Sequence, residues 1–297
     1  MMHKKFYALN RVSQVLRQCD SDSSELDDSP TIRLAVHPQH LVAFTDQGSM
    51  GAEKFRALAL RLRNFQKRQQ LRKLLVTSSV KGEGKSIISA NLAVTLALQG
   101  QRTLLIDGDM HQSGLRDILG SHGQMGLGDW WGKSDPIVRF LHRVDGISLW
   151  YLSAGQVAEP PLEILQSQRF SGMLNLIAGW FDWVIIDSPP LVPVADSSLL
   201  ATQTDGTLLI VRQGKTPKPL LREALKTENL KLLGIVTNEW QDTEHSYYGQ
   251  YYKSYGATGR QYVSSSKSRR LSGTNNAEVF DSHTVDKSTP DPSVEIA

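Results

Sequence analysis

The chain has 297 residues, 40% of them hydrophobic, and a formal net charge of +3. That length suits one large α/β domain with extensions, and so mild a charge gives no support for nucleic-acid binding. The single cysteine, Cys19, excludes an internal disulfide framework and a cysteine-rich metal site, and fits a reducing interior. No apolar run reaches the ~18–20 residues that cross a bilayer, and MMHKKFYALNRVSQV lacks the apolar core of a signal peptide. The expectation is a cytoplasmic protein with no membrane span of its own.

In chain order, residues 1–45 read as an extension. Phe6, Leu9, Val12 and Leu16 recur at helical spacing and predict a short amphipathic helix, followed by the acidic DSDSSELDDSP as linker. Residues 46–243 read as the folded domain. Its first helix, from Glu53 to about Gln70, lines Phe55, Leu58, Leu62 and Phe65 along one face, with Arg56, Arg61, Arg63, Lys67 and Arg68 interspersed. Between Lys73 and Thr237, five short apolar runs follow: LLVTS, TLLID, WVIID, TLLIV and LLGIV. Continuous apolar strands separated by helical segments, notably Lys85–Gln99 and Leu220–Asn229, predict a doubly wound, mostly parallel α/β sheet flanked by helices. Such sheets bind ligands at the carboxyl ends of their strands.

Three loops converge on that edge. The first strand runs into SVKGEGKS and a helix, the layout of a phosphate cradle. Gly82 and Gly84 let the backbone wrap closely, so N–H groups from about Val80 to Ser86 can face phosphate oxygens, aided by the helix dipole. The nucleotide-binding stretch is Val80, Lys81, Gly82, Glu83, Gly84, Lys85, Ser86 and Ile87. Lys85 would reach the β- and γ-phosphates and Ser86 would bind Mg²⁺. Ser79 holds the place where the full pattern wants glycine, so this is a P-loop of the deviant Walker A type. LLIDGDMHQ sets Asp107 and Asp109 just past the next strand, suited to Mg²⁺ or to a hydroxyl proton. WVIIDSPP ends in Asp187, in the position of the second magnesium element of phosphate-loop enzymes. Together they predict ATP and Mg²⁺ chemistry. Asp196, in PVADSS, reads as a helix cap. His37, His40, His122 and His142 show no metal-ligand spacing, and Trp130 and Trp131 read as capping the core or a lid.

Residues 244–262 gather Tyr247, Tyr248, Tyr251, Tyr252, Tyr255 and Tyr262, six of the chain's eight tyrosines. Residues 263–297 are rich in Ser, Thr, Asn, Asp and Lys and read as a disordered tail. Taken alone, these residues leave open a tyrosine autokinase, an aromatic partner-binding tail, and an assembly-switch ATPase of the septum-positioning or plasmid-partition kind. The last carries a lysine where this chain has Val80.

TSSVKGEGKS, LLIDGDMHQ, VIIDSPPLVPVADSS, TDGTLLIVRQGKT and HSYYGQYYKSYG resemble the bacterial tyrosine kinases of capsule and exopolysaccharide synthesis over roughly residues 53–262. The resemblance implies autophosphorylation of the tyrosine cluster in trans within a homo-oligomer. It also implies activation by a membrane-spanning polysaccharide chain-length regulator on a separate chain, which would recruit the kinase to the inner face of the membrane. By position, Lys85 and Ser86 would hold phosphates and metal, Asp107 and Asp187 would organise Mg²⁺, and Asp109 would be the base for the incoming tyrosine. Arg212 and Asn238 would contact the nucleotide's base region. The 24 residues from Asn238 to Tyr262 could extend to about 80 Å, enough to reach a neighbouring subunit. Two positions depart from the family pattern: His111 replaces the arginine of DxDxR, and Ala59 replaces the last arginine of Glu-x-x-Arg-x-x-Arg, in which Glu53 and Arg56 fit.

Overall fold

The computed structural model describes Leu26, residues 29–34, 40–192 and 194–239, and the backbone of a strand at Val294–Ile296. The expected N-terminal helix, His37 and the tyrosine segment lie outside the described residues. Nine strands among them form one sheet: β1 (Thr31–Ile32), β2 (Lys73–Ser78), β3 (Thr103–Asp107), β4 (His142–Val144), β5 (Leu149–Leu152), β6 (Trp183–Asp187), β7 (Gly206–Arg212), β8 (Leu232–Asn238) and β9 (Val294–Ile296). Their order is β1-β4-β5-β3-β6-β2-β7-β8-β9. The six from β5 to β8 run parallel. β4 is antiparallel to β5 and β9 is antiparallel to β8.

The apolar runs of β2, β3, β6 and β7 form central strands because both faces of the sheet are covered there; β8, nearer the edge, is only partly buried. Successive side chains alternate faces, so Leu74 and Val76 join one core and Leu75 the other. The first core lies under helices α1 (Val42–Thr45), α2 (Met50–Arg68), α3 (Lys85–Leu98) and α4 (Leu115–Leu119). Helices α5 (Leu127–Trp131), α6 (Pro161–Gln166), α7 (Gln168–Ile177) and α8 (Ala195–Gln203) cover the second. A ninth helix, α9 (Lys218–Ala224), follows β7. α3 is apolar on nearly every side because it lies between the sheet and α2. Asn91 on α3 accepts the Ala43 amide at 3.0 Å and donates to the carbonyl of His40 at 2.8 Å, fixing the approach to α1.

Several expectations are corrected. A boundary at residue 45 does not separate an extension from the domain, because Leu26, inside the acidic run read as linker, is fully buried in the second core. Its carbonyl accepts the Trp150 indole N–H at 3.1 Å, and β1 joins the sheet edge beside β4. β4, β5, β1 and β9 were not expected. LWYL of β5 is a fully buried strand, and Val294–Ile296 is paired within the segment whose composition reads as disordered. On α2, Phe55, Leu58 and Leu62 are buried as expected, but Phe65 is 40% exposed. Ala59 is fully buried, and Arg56 pairs with Glu53 on its own helix, its Nε 2.8 Å from Oε2. Trp130 packs in the second core as expected, and the guanidinium of Arg169 stacks over its ring at 4.3 Å.

Candidate active site

β3 and its neighbour β6 end together, with Asp107 opposite Asp187, and on the other side of β6 Val76 lies opposite Asp187, two residues before β2 ends at Ser78. The three expected loops therefore share one edge, as the topology requires. Two glycines make the close approach possible. Gly84 has φ +90° and is the N-cap of α3; a Cβ there would lie 2.1 Å from Asn238 Nδ2. Gly108, between the two aspartates, donates its amide to the Asp187 carbonyl at 2.8 Å, where a Cβ would come within 2.7 Å of that oxygen.

Lys85 opens α3 and is nearly buried, its Nζ 3.7 Å from Asp109 Oδ2. Asp109 also accepts the Gln112 amide at 3.0 Å, which turns the loop after β3. Asp107 and Asp187 are fully buried. Burial pushes the Asp107 carboxyl up to about 7, with Asp187 and Asp109 adding to the rise and the Ser113 hydrogen bond opposing it. Burial likewise raises Asp187 to about 6, against the pull of Lys85 and the Ser86 and Ser89 hydroxyls.

On each of these two carboxylates one oxygen is engaged and the other is not. Asp107 Oδ2 accepts the Ser113 hydroxyl and, at 3.4 Å, the phenol of buried Tyr151. Asp187 Oδ1 accepts Ser89 Oγ at 3.0 Å. Asp107 Oδ1 and Asp187 Oδ2 have no hydrogen-bond partner. Two bare carboxylate oxygens beside a serine hydroxyl at a phosphate loop fit hard Mg²⁺, which takes one or two carboxylates plus phosphate and water. Among the described residues no cluster of three or more His, Cys, Asp or Glu could hold a metal by itself.

The phosphate loop is braced by a group that sequence reasoning placed on the nucleotide. The Glu83 side chain is buried and turns back, accepting the amides of Ser79 at 2.8 Å and Val80 at 3.1 Å and bonding the Thr216 hydroxyl. The Val80 amide is thus committed to Glu83. A cleft of about 850 Å³ lies against the loop, lined by Lys81, Gly82, Gly84, Lys85, Ser86, Ile87 and Asp109 on one side. Arg212 and Asn238 do not line it. They flank the other side of the loop, paired across β7 and β8. Asn238 Nδ2 donates to the Glu83 carbonyl at 3.0 Å, and Arg212 pairs with Glu239.

Asp196 does not cap α8, whose N-cap is Val194. Its buried carboxylate sits 2.8 Å from His111 Nε2, and both side chains line the cleft. Tyr151, Ser113 and the structural part of Glu83 were missed. Tyr151 and Ser113 belong to no spaced motif, and the inward turn of Glu83 depends on Thr216, far along the chain. His142 bonds the Met125 carbonyl at 3.0 Å and His122 lies 3.4 Å from Asp117; neither histidine lines the cleft.

This fold and site define a nucleotide-binding domain, and a family model agrees: the CobQ/CobB/MinD/ParA nucleotide binding domain matches residues 74–262. Tyrosine-protein kinase YwqD of Bacillus subtilis (strain 168) is 31% identical over 216 residues, covering 72% of this chain and 91% of that protein. Within the nucleotide-binding class, the chain therefore belongs to the bacterial tyrosine-protein kinases. EpsB of Ralstonia solanacearum is 29% identical over 248 residues, 82% of this chain, which spans only 33% of that longer protein. The crystal structure of the chimerical protein CapA2B2 superposes with a TM-score of 0.65 at 26% identity, covering 75% of this chain and 99% of that one. Among the described residues, no helix is long and apolar enough to cross a membrane.

Proposed function

We propose that the chain transfers the γ-phosphoryl group of ATP to tyrosines of its own C-terminal cluster, Tyr247, Tyr248, Tyr251, Tyr252, Tyr255 and Tyr262, on a second copy, and so regulates polysaccharide synthesis and export. The observation that carries this reading is the pair of partnerless oxygens on Asp107 and Asp187 beside the Lys85 loop. Lys85 and the amides from Lys81 to Ser86 hold the phosphates; Arg212 and Asn238 mark the flank where the base would rest. Ser86, Asp107 and Asp187 would hold Mg²⁺, which supplies charge neutralisation on the phosphates when bound. Asp109, facing the same cleft, accepts the phenolic proton as the tyrosine oxygen bonds phosphorus and the bond to ADP breaks. A membrane-spanning activator on a separate chain would bring copies together at the inner face of the membrane.

The test is phosphotyrosine detection after incubating the purified protein with ATP and Mg²⁺, beside Lys85→Met. Signal in the parent that is lost in the variant supports the kinase. ATP hydrolysis without phosphotyrosine, with an activating partner fragment present, would instead support an assembly switch.

A further inference from the structure

The cleft has two characters. Lysines, glycines, Ser86 and Asp109 line its loop side. Its other wall is apolar: Ile118 on α4, Leu162 on α6, Pro189 and Pro190 after β6, and Val194 before α8. Apolar surface of this kind gives a phosphate chain nothing to bond, but it suits the ring of a tyrosyl side chain. His111 and Asp196 line the same cleft. Asp196 is 4% exposed and comes from α8, whereas His111 follows β3, and its side chain is 51% exposed. A carboxylate only accepts, so the 2.8 Å contact places the imidazole hydrogen on Nε2. Nδ1, on the other side of the ring, is then left for another partner, and the ring is oriented from behind by a buried carboxylate.

We propose that His111, oriented by Asp196, hydrogen-bonds through Nδ1 to the phenolic oxygen of an acceptor tyrosine whose ring lies on the apolar wall, leaving the phenolic proton to Asp109. The proposal rests on the tyrosine-kinase reading and deepens it. His111 takes up the place of the family's arginine, and Asp196 is the residue that positions it. Lys81, Lys85 and Asp109 are the other charged groups lining the cleft.

The experiment uses the full chain, ATP with Mg²⁺, and a synthetic peptide of residues 245–256 as acceptor. His111→Ala removes the imidazole. His111→Asn keeps an amide group near the place of Nδ1, and His111→Gln keeps only a group near Nε2. Asp196→Asn leaves the ring without its carboxylate. The expected result is a loss of about tenfold or more in peptide kcat/KM for the alanine variant, the scale of one lost hydrogen bond to a reacting group. That loss falls mainly on the peptide's KM while ADP affinity holds. The asparagine variant recovers part of it, and the glutamine variant does not. A peptide kcat/KM within twofold of the parent in the alanine variant overturns the proposal. Equal losses in all three His111 variants, together with lowered melting temperatures, overturn it in favour of a structural role. A parent that hydrolyses ATP without labelling the peptide overturns the kinase reading, and the proposal with it.

Discussion

Asp107 shows how the site divides the work of one carboxylate. Its Oδ2 is held by Ser113 and Tyr151 from within the fold, which leaves Oδ1 free toward the phosphate loop. Groups behind a metal ligand fix its orientation, and their removal typically costs ten- to a hundredfold in metal affinity. Ser113→Ala should therefore weaken Mg²⁺-dependent ADP binding about tenfold, read by titrating Mg²⁺ against a fluorescent ADP analogue. Tyr151→Phe should do less, since its contact is 3.4 Å. An unchanged Mg²⁺ dependence in the serine variant would remove Asp107 from the metal site. At this scale the aspartates and Lys85 were legible because each closes an apolar strand or opens a helix at fixed spacing. Ser113, Tyr151 and the inward turn of Glu83 were not. Tyr151 belongs to a strand 44 residues further along, and nothing in a linear pattern says that the two strands are neighbours.

Among elements, the joint between β2 and α3 is the most constrained. Gly84 is left-handed and in close contact with Asn238 of β8, so a side chain there meets both backbone strain and a collision. Gly84→Ala should cost about 1–3 kcal/mol of stability and abolish nucleotide binding, measured by denaturant unfolding and by ADP titration. Retained binding with full stability would mean that the loop tolerates another path. The five strands expected from apolar runs are all present; four are buried along nearly the whole of their apolar runs, whereas β8 is only partly covered. β5 was missed because LWYL is flanked by polar turns without the strand–helix alternation that marks its neighbours. β1 and β9 are too short for periodicity to register. In α2 the apolar stripe was legible, but its end at Phe65 was not, since burial there depends on what the adjacent strands present.

For the molecule as a whole, the raised carboxyls link folding to pH and to metal. Asp107 and Asp187 rise from an ordinary 3.8 to about 7 and about 6. Between about pH 4 and pH 7 the folded chain binds more protons at these groups than the unfolded chain does. Their contribution to stability is fully present below about pH 4 and is lost as pH rises through 6 and 7. Without metal, the parent should lose stability relative to Asp107→Asn as pH rises from 5 to 8, measured by thermal unfolding. Mg²⁺ with ADP should raise the melting temperature more at pH 8 than at pH 6, because ligation requires both carboxylates ionised. An equal rise at both pH values would show that these two groups do not hold the metal.

The strand that leads toward the tyrosines is bolted to the loop that cradles phosphate. Asn238 closes β8 and grips the backbone of Glu83; the next residue, Glu239, is clamped by Arg212 and Lys215. The end of β8 is thus tied to the backbone of the glycine turn by one side-chain amide, and the residue after it to the end of β7.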